Sequence, residues 1–154
     1  MTELILTEDA RKVIIKDAES AYPHECCGFF YGSDDDKRTV TEAIPVVNTK
    51  EENRERRFEI SAIDYMKAEQ YADENGLTLL GVYHSHPEHA AIPSEHDLRQ
   101  ALPYFSYIVV SVKKAKTAAV LSWKLNDQGR FEQETVINQN NPFDVDVFLS
   151  SFNQ

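Results

Sequence analysis

The sequence is poor in cysteine, which limits the crosslinks and metal sites that it can form. Its two cysteines, Cys26 and Cys27, are adjacent, and neighbouring Cα atoms lie about 3.8 Å apart, closer than disulfide geometry favours. We therefore expect two reduced thiols on opposite sides of a strand, either both in the core or one of them beside a site. The chain also lacks a C-x2-C pair, which argues against a structural zinc site closed by thiolates.

Long apolar runs and basic residues are also scarce. No apolar run approaches the ~20 residues that span a bilayer, and the N-terminus lacks a secretory segment, since residues 4–6 are followed at once by Thr7, Glu8 and Asp9. We expect a cytoplasmic protein with no membrane partner. There are 16 basic against 26 acidic residues, and the formal net charge of -10 argues against nucleic acid as a partner. Attraction to a basic partner and solubility alone both fit this charge.

Length and hydrophobic content suit one domain. With 154 residues, 42% of them hydrophobic, the chain can fill one core but is too short for two ordinary domains. We predict a domain over residues 1–137 and a C-terminal tail over residues 138–154. The apolar side chains of the tail must be buried against the domain or against a second subunit, as in a homodimer.

Periodicity and capping signals predict three helices. The first has Thr7 as its N-cap, ends before Pro23, and has a buried stripe made of Ala10, Val13, Ile14, Ala18 and Ala21. The second starts at Ser61 and stops at Gly76, and its Tyr65 and Met66 are expected in the core. The third follows Ser94. Strands are predicted over residues 26–31, 39–48, 58–60, 79–83, 105–112, 118–125 and 130–137, and residues 49–57 as an exposed loop.

The most informative stretch is residues 81–97, GVYHSHPEHAAIPSEHD. His84 and His86 lie two apart at the end of a strand, so that both imidazoles point to the same side, a spacing typical of metal ligands. Asp97 falls on the first turn of the helix that follows. Two neutral imidazoles and a carboxylate form the donor set of a catalytic zinc site, which keeps its fourth position open.

Plainer interpretations exist for each of these residues. Ser94 and Asp97 fit an ordinary capping box, and either histidine alone is more often a core or surface residue than a ligand. The joint pattern H-x-H-x7-S-x2-D favours the functional interpretation, because its chance occurrence in such a chain is on the order of one in several thousand. Capping and catalysis can also coexist on the same residues.

The pattern resembles a known family. The JAMM (MPN+) metalloprotease motif is matched position for position by His84, Ser85, His86, Pro87, Ser94 and Asp97. Residues 25–28, Glu-Cys-Cys-Gly, are similar to the upstream glutamate segment of that family. The resemblance is to the small stand-alone bacterial type. It implies an α/β fold with a curved mixed β-sheet flanked by helices, related to the cytidine-deaminase sandwich.

The resemblance also implies a mechanism and a substrate class. Zn²⁺ would be held by His84, His86 and Asp97, while Glu25 would act as general base and then general acid. The Ser94 hydroxyl would donate to the oxyanion that forms on the substrate carbonyl. Members of this family hydrolyse peptide or isopeptide bonds next to the C-terminal glycines of ubiquitin or ubiquitin-like proteins, and the small bacterial enzymes act on ubiquitin-like sulfur carriers.

Three alternatives remain at this point. The chain could be a non-catalytic MPN-type scaffold or interaction module, which an intact ligand set argues against. It could be a zinc deaminase, although that chemistry requires H-x-E followed by P-C-x-x-C and neither is present. Glu25 could also be a plain surface carboxylate.

Overall fold

A strongly curved β-sheet that closes on itself organises the protein in a computed structural model, which describes residues 2–47 and 59–140. In chain order the elements are β1 (Glu3–Thr7), α1 (Glu8–Ala21), β2 (Cys27–Asp34), β3 (Arg38–Val46), α2 (Ala62–Glu74), β4 (Thr78–Pro87), α3 (Glu95–Gln100), β5 (Ser106–Lys113), β6 (Lys116–Leu125) and β7 (Phe131–Gln139). The strand order is β1-β3-β2-β4-β5-β6-β7, and β7 pairs again with β1.

The sheet is mixed, as the resemblance to the JAMM family implies. β1 runs parallel to β3 and to β7, and β4 runs parallel to β5, while the remaining pairs are antiparallel. Phe29 and Phe30 enter different apolar clusters because successive strand side chains point to opposite faces. α1 packs into the cluster of Phe30 through Ile14, and α2 packs into the cluster of Phe29. The α/β fold class is therefore confirmed.

Two glycines allow the central strands to approach closely. A Cβ on Gly81 would lie 1.8 Å from the carbonyl oxygen of Ser106, and one on Gly28 would lie 2.3 Å from the ring of Tyr83. Neither distance is compatible with a side chain, so only glycine permits β4 to pack against β5 and β2 to lie over Tyr83 at this spacing. These contacts fix the strand that carries the two histidines.

The helices begin as predicted, but two expected core residues are exposed. α1 buries Ala10, Ile14 and Ala18, whereas Val13 is 36% exposed. Met66 on α2 is 70% exposed, because it lies outside the face that Ala68 and Ala72 turn towards the sheet. The expectation that Val13 and Met66 belong to the core is therefore wrong.

The ends of the predicted elements also differ from the structure. β1 was not predicted, although its Leu4 and Leu6 are fully buried and it completes the closed sheet. Glu59 and Ile60 are not in a strand, contrary to the prediction for residues 58–60. Phe58, the predicted loop over residues 49–57, Asn48 and residues 141–154 of the tail lie outside the described residues. Within the described ranges, no helix has both the length and the apolar content to cross a membrane.

Candidate metal centre

The end of β4 lies beside the chain that leads into β2. In the antiparallel register His84 is opposite Cys27. One residue further along, the backbone N–H of Ser85 donates to the carbonyl of Cys26 at 3.1 Å, and the backbone N–H of Cys26 donates to the Ser85 hydroxyl at 2.8 Å. The pairing thus continues past the start of β2. It places Glu25, the residue before Cys26, next to the two histidines.

Three candidate ligand atoms converge at this position. His84 Nε2 lies 3.1 Å from His86 Nε2, and Asp97 Oδ2 lies 3.1 Å from each of them. The three side chains are buried, with exposed fractions of 1%, 8% and 6%. Two ligand atoms of a tetrahedral zinc ion, each about 2.0–2.1 Å from the metal, lie roughly 3.3 Å apart. The triangle therefore has the size and the donor chemistry that suit one ion.

Asp97 reaches the histidines from the first turn of α3, where a capping box fixes it. The N–H of Asp97 donates to the Ser94 hydroxyl at 3.1 Å, and the N–H of Ser94 donates to Asp97 Oδ2 at 2.8 Å. The capping interpretation of these two residues is therefore correct. The same carboxylate oxygen also faces the imidazoles, so the cap and the candidate ligand set share one side chain.

The orientation of the His86 ring is set by a backbone carbonyl. Its Nδ1 lies 2.9 Å from the oxygen of Ala90. Because a carbonyl can only accept, Nδ1 must carry a proton, which makes Nε2 the lone-pair nitrogen of the neutral ring. A hydrogen bond of this kind is the usual support of a metal-binding histidine.

The charge states of the three residues follow from their burial and contacts. Burial lowers the pKa of His84, although the charge and hydrogen bond of Asp97 act in the opposite direction. Burial acts against the charged form of Asp97, but the charge and hydrogen bond of His84, with the bonds from His86 and Ser94, lower its pKa well below the usual range. For His86, burial is outweighed by its bonds to Asp97 and Ala90, which raise its pKa. Metal binding requires an unprotonated imidazole nitrogen and an ionised carboxylate, so a metal ion would compete with protonation of His86 Nε2.

A cavity of about 570 Å³ opens next to this triangle. Its size lies within the range that is typical of ligand-binding pockets. The residues that line it are Glu25, His86, His89, Ala90, Ile92 and Ser94. Glu25 and Ser94, the two catalytic residues expected from the sequence, thus line the same cavity as His86, a candidate metal ligand.

The loop residues in the cavity wall were not anticipated. His89, Ala90 and Ile92 belong to the segment between Pro87 and Pro93, which the sequence indicates only as a loop. The sequence offers one signal for these residues. The seven residues between His86 and Ser94 must cross from β4 to α3 beside the histidines, so some of them are expected next to the site.

The two cysteines enter different clusters, as expected for neighbours in an extended chain. Cys26 packs with the α1 cluster and Cys27 with the α2 cluster. Burial, followed by the charge of Asp17, raises the pKa of Cys27 to about 12 and also raises the pKa of Cys26. Neither thiol is therefore an ionised ligand or nucleophile near neutral pH.

Comparison with known proteins gives two curated relatives. A desampylase from Haloferax volcanii is 34% identical over 122 residues, which cover 76% of this chain and 86% of that protein. A protein from Thermus thermophilus named as a probable TtuB-protein conjugate cleaving protease is 29% identical over 104 residues, covering 68% of this chain and 64% of that protein.

Solved structures share the fold. A solution structure from Desulfitobacterium hafniense has a TM-score of 0.78 at 28% identity and covers 90% of this chain and 94% of its own. One from Salinibacter ruber has a TM-score of 0.67 at 37% identity, with 92% and 93% covered. The crystal structure of a JAB1/MPN domain protein from Archaeoglobus fulgidus, at 22% identity, has a TM-score of 0.54, with 89% and 99% covered.

The family assignment comes from a match along most of the chain. Residues 7–126 match the family described as prokaryotic homologs of the JAB domain. That range includes β2, β4 and α3, and with them all three residues of the candidate metal centre. The chain therefore belongs to the family of prokaryotic JAB-domain homologs.

Proposed function

We propose that this protein is a zinc-dependent metalloprotease of the JAMM isopeptidase type. It would hydrolyse a peptide or isopeptide bond next to the C-terminal glycines of a ubiquitin-like sulfur-carrier protein. The observation that carries the proposal is the buried triangle of His84, His86 and Asp97 beside a cavity that also contains Glu25. The names of the two curated relatives support the same class of reaction.

The donor set fits zinc better than the common alternatives. Magnesium and calcium prefer shells made of oxygen ligands, whereas two imidazoles and one carboxylate suit a zinc ion with an open position. When bound, such an ion acts as a Lewis acid that polarises a carbonyl and lowers the pKa of a water molecule to about 7. The His86 tautomer set by Ala90 leaves the Nε2 lone pair available for this purpose.

Glu25 and Ser94 would move protons and stabilise charge. Glu25 is 5% exposed and lines the cavity with His86, a position from which its carboxylate can take a proton from the attacking water and return it to the leaving amine. The Ser94 hydroxyl accepts the N–H of Asp97 in the cap. It therefore keeps its own proton, which it can donate to the oxyanion on the substrate carbonyl.

The proposed substrate fits the form of the cavity and the charge of the chain. A glycine tail has no side chains to collide with walls made by Ala90 and Ile92. Because such a tail offers little side-chain information, recognition should depend on the folded carrier, and the net charge of -10 favours a basic patch on it. All five site residues fall within residues 1–137, which we propose as the catalytic domain.

The deciding experiment uses ubiquitin-like sulfur carriers that bear a C-terminal extension after their glycines. The zinc-loaded protein is incubated with each carrier and the intact masses are read. We expect at least one carrier to lose its extension, and neither EDTA-treated protein nor His86→Ala protein to remove it. Cleavage of an unrelated peptide but of no carrier would overturn the substrate assignment. A zinc-loaded protein that cleaves neither would instead favour the non-catalytic scaffold.

A further inference from the structure

The loop that follows His86 is held by its backbone oxygens. Three consecutive carbonyls, those of His89, Ala90 and Ala91, each accept a hydrogen bond from a side chain. The donors lie on three neighbouring strands. Ser111 Oγ on β5 binds the oxygen of His89 at 2.5 Å, His86 Nδ1 on β4 binds that of Ala90 at 2.9 Å, and Trp123 Nε1 on β6 binds that of Ala91 at 3.0 Å.

This arrangement restricts the middle carbonyl. Each peptide unit is planar, so the direction of a carbonyl can change only by rotation about the φ and ψ angles that flank it. With the carbonyls of His89 and Ala91 both held, the peptide plane between them has little freedom. The Ala90 oxygen therefore keeps a fixed direction even though Ala90 is itself exposed.

The two outer donors are suited to this task. Ser111 is buried and lies directly opposite His86 in the β4–β5 register, so that both side chains leave the same face of the sheet. Trp123 is the only tryptophan of the chain, and its indole N–H can only donate. Neither residue is among those that line the cavity or form the ligand triangle.

We propose that Ser111 and Trp123 are positioning residues of the metal centre. By fixing the carbonyls on either side of Ala90 they hold its oxygen on His86 Nδ1, and they thereby keep the His86 ring in the tautomer and orientation that bind the metal. This inference rests on the metal centre of the proposed function. The effect passes through one backbone carbonyl, and neither residue touches the substrate.

The test compares single substitutions that remove one donor each. Ser111→Ala removes the hydroxyl, and Trp123→Phe keeps an aromatic ring without the N–H. Ser111→Thr retains the hydroxyl and should restore the wild-type result. Ser122→Ala is the matched control, because Ser122 is also a buried strand serine but donates to Glu134 Oε1, at 3.0 Å.

Zinc affinity is the first readout, measured by competition with a chromophoric chelator. We expect zinc to bind roughly tenfold more weakly in Ser111→Ala and in Trp123→Phe. Removing a residue that supports a metal ligand usually lowers metal affinity by about 10–100-fold, and the expected loss is at the lower end of that range. The Ser122→Ala protein should bind zinc as the wild type does, even if its melting temperature falls. Wild-type affinity in both test variants would overturn the proposal and leave these residues a structural role.

A second readout needs no metal and no substrate. Side-chain ¹⁵N shifts of histidine distinguish the two neutral tautomers from each other and from the doubly protonated ring, so metal-free protein is measured at a pH at which the shifts themselves show a neutral ring. We expect His86 in the Nδ1–H form in the wild type and in Ser122→Ala, and a mixture of tautomers in Ser111→Ala and Trp123→Phe. An unchanged tautomer in the two test variants would contradict the proposal. Failure to cleave any carrier would affect only the proposed function.

Discussion

At the scale of single residues, Glu25 has the most demanding role. Its carboxylate is almost fully buried and shares the cavity with His86. We predict that Glu25→Gln folds and retains zinc but hydrolyses substrate at least ~100-fold more slowly, the usual scale for a general acid–base. Turnover and metal content are measured on the same sample.

A second buried carboxylate provides the control for this substitution. Glu134 is 2% exposed and accepts hydrogen bonds from Ser122 and Thr2, away from the cavity. The Glu134→Gln protein should therefore keep its turnover. Normal turnover in Glu25→Gln would remove the proton-transfer role, and loss of zinc from that variant would make Glu25 a ligand instead.

The two cysteines should be chemically inert in the folded protein. Burial is the main cause that raises the pKa of Cys27 to about 12 and also raises that of Cys26, so the thiolate fraction at pH 8 is very small. We predict no alkylation by iodoacetamide at that pH during a time that labels both thiols completely in urea. Intact mass reports the number of labels, and rapid labelling of the folded protein would contradict the burial of both side chains.

At the scale of secondary-structure elements, α3 joins a helix cap to the site. Ser94→Ala should cost about 1 kcal/mol of stability through the lost cap. If the hydroxyl also donates to the oxyanion, turnover should fall by roughly 10²–10³-fold at nearly unchanged zinc content. Melting temperature and turnover together separate the two roles.

The second helix offers a matched substitution. Ser61 caps α2 with the same capping box, and the N–H of Asp64 donates to its hydroxyl at 3.1 Å, the distance found for Ser94 and Asp97. Ser61→Ala should therefore lower stability by a similar amount and leave turnover unchanged. Equal effects of the two substitutions on both quantities would leave Ser94 with the cap alone.

At the scale of the whole molecule, features that depend on a few neighbouring residues could be predicted from the sequence, whereas features that depend on long-range strand pairing could not. The H-x-H spacing and the Ser94 cap follow rules that act over a few residues, and the structure shows both. β1 was missed because its five residues become a strand only by pairing with partners far along the chain, such as Ile5 with Ile137. The Ala90 carbonyl that holds His86 could not be predicted, because any residue type can supply a backbone acceptor.

The metal centre should also contribute to the stability of the whole fold. Its candidate ligands come from β4 and from the six-residue helix α3, so a bound ion would tie that helix to the closed sheet. A ligand that binds only the folded state at 100 times its Kd adds about 2.7 kcal/mol. For a domain of this size that corresponds to a rise in Tm of about 5–10 °C.

We therefore predict that EDTA lowers the Tm of zinc-loaded protein by this amount and that added zinc restores it. Magnesium should not restore it, because the site offers too few oxygen ligands. The His86→Ala protein, with one of three ligands removed, should melt at the same temperature with and without zinc. The contradicting result is wild-type protein that holds one zinc per chain but melts no higher than the EDTA-treated sample. In that case the ion is bound elsewhere or also binds the unfolded chain. The triangle of His84, His86 and Asp97 would then not tie α3 to the sheet.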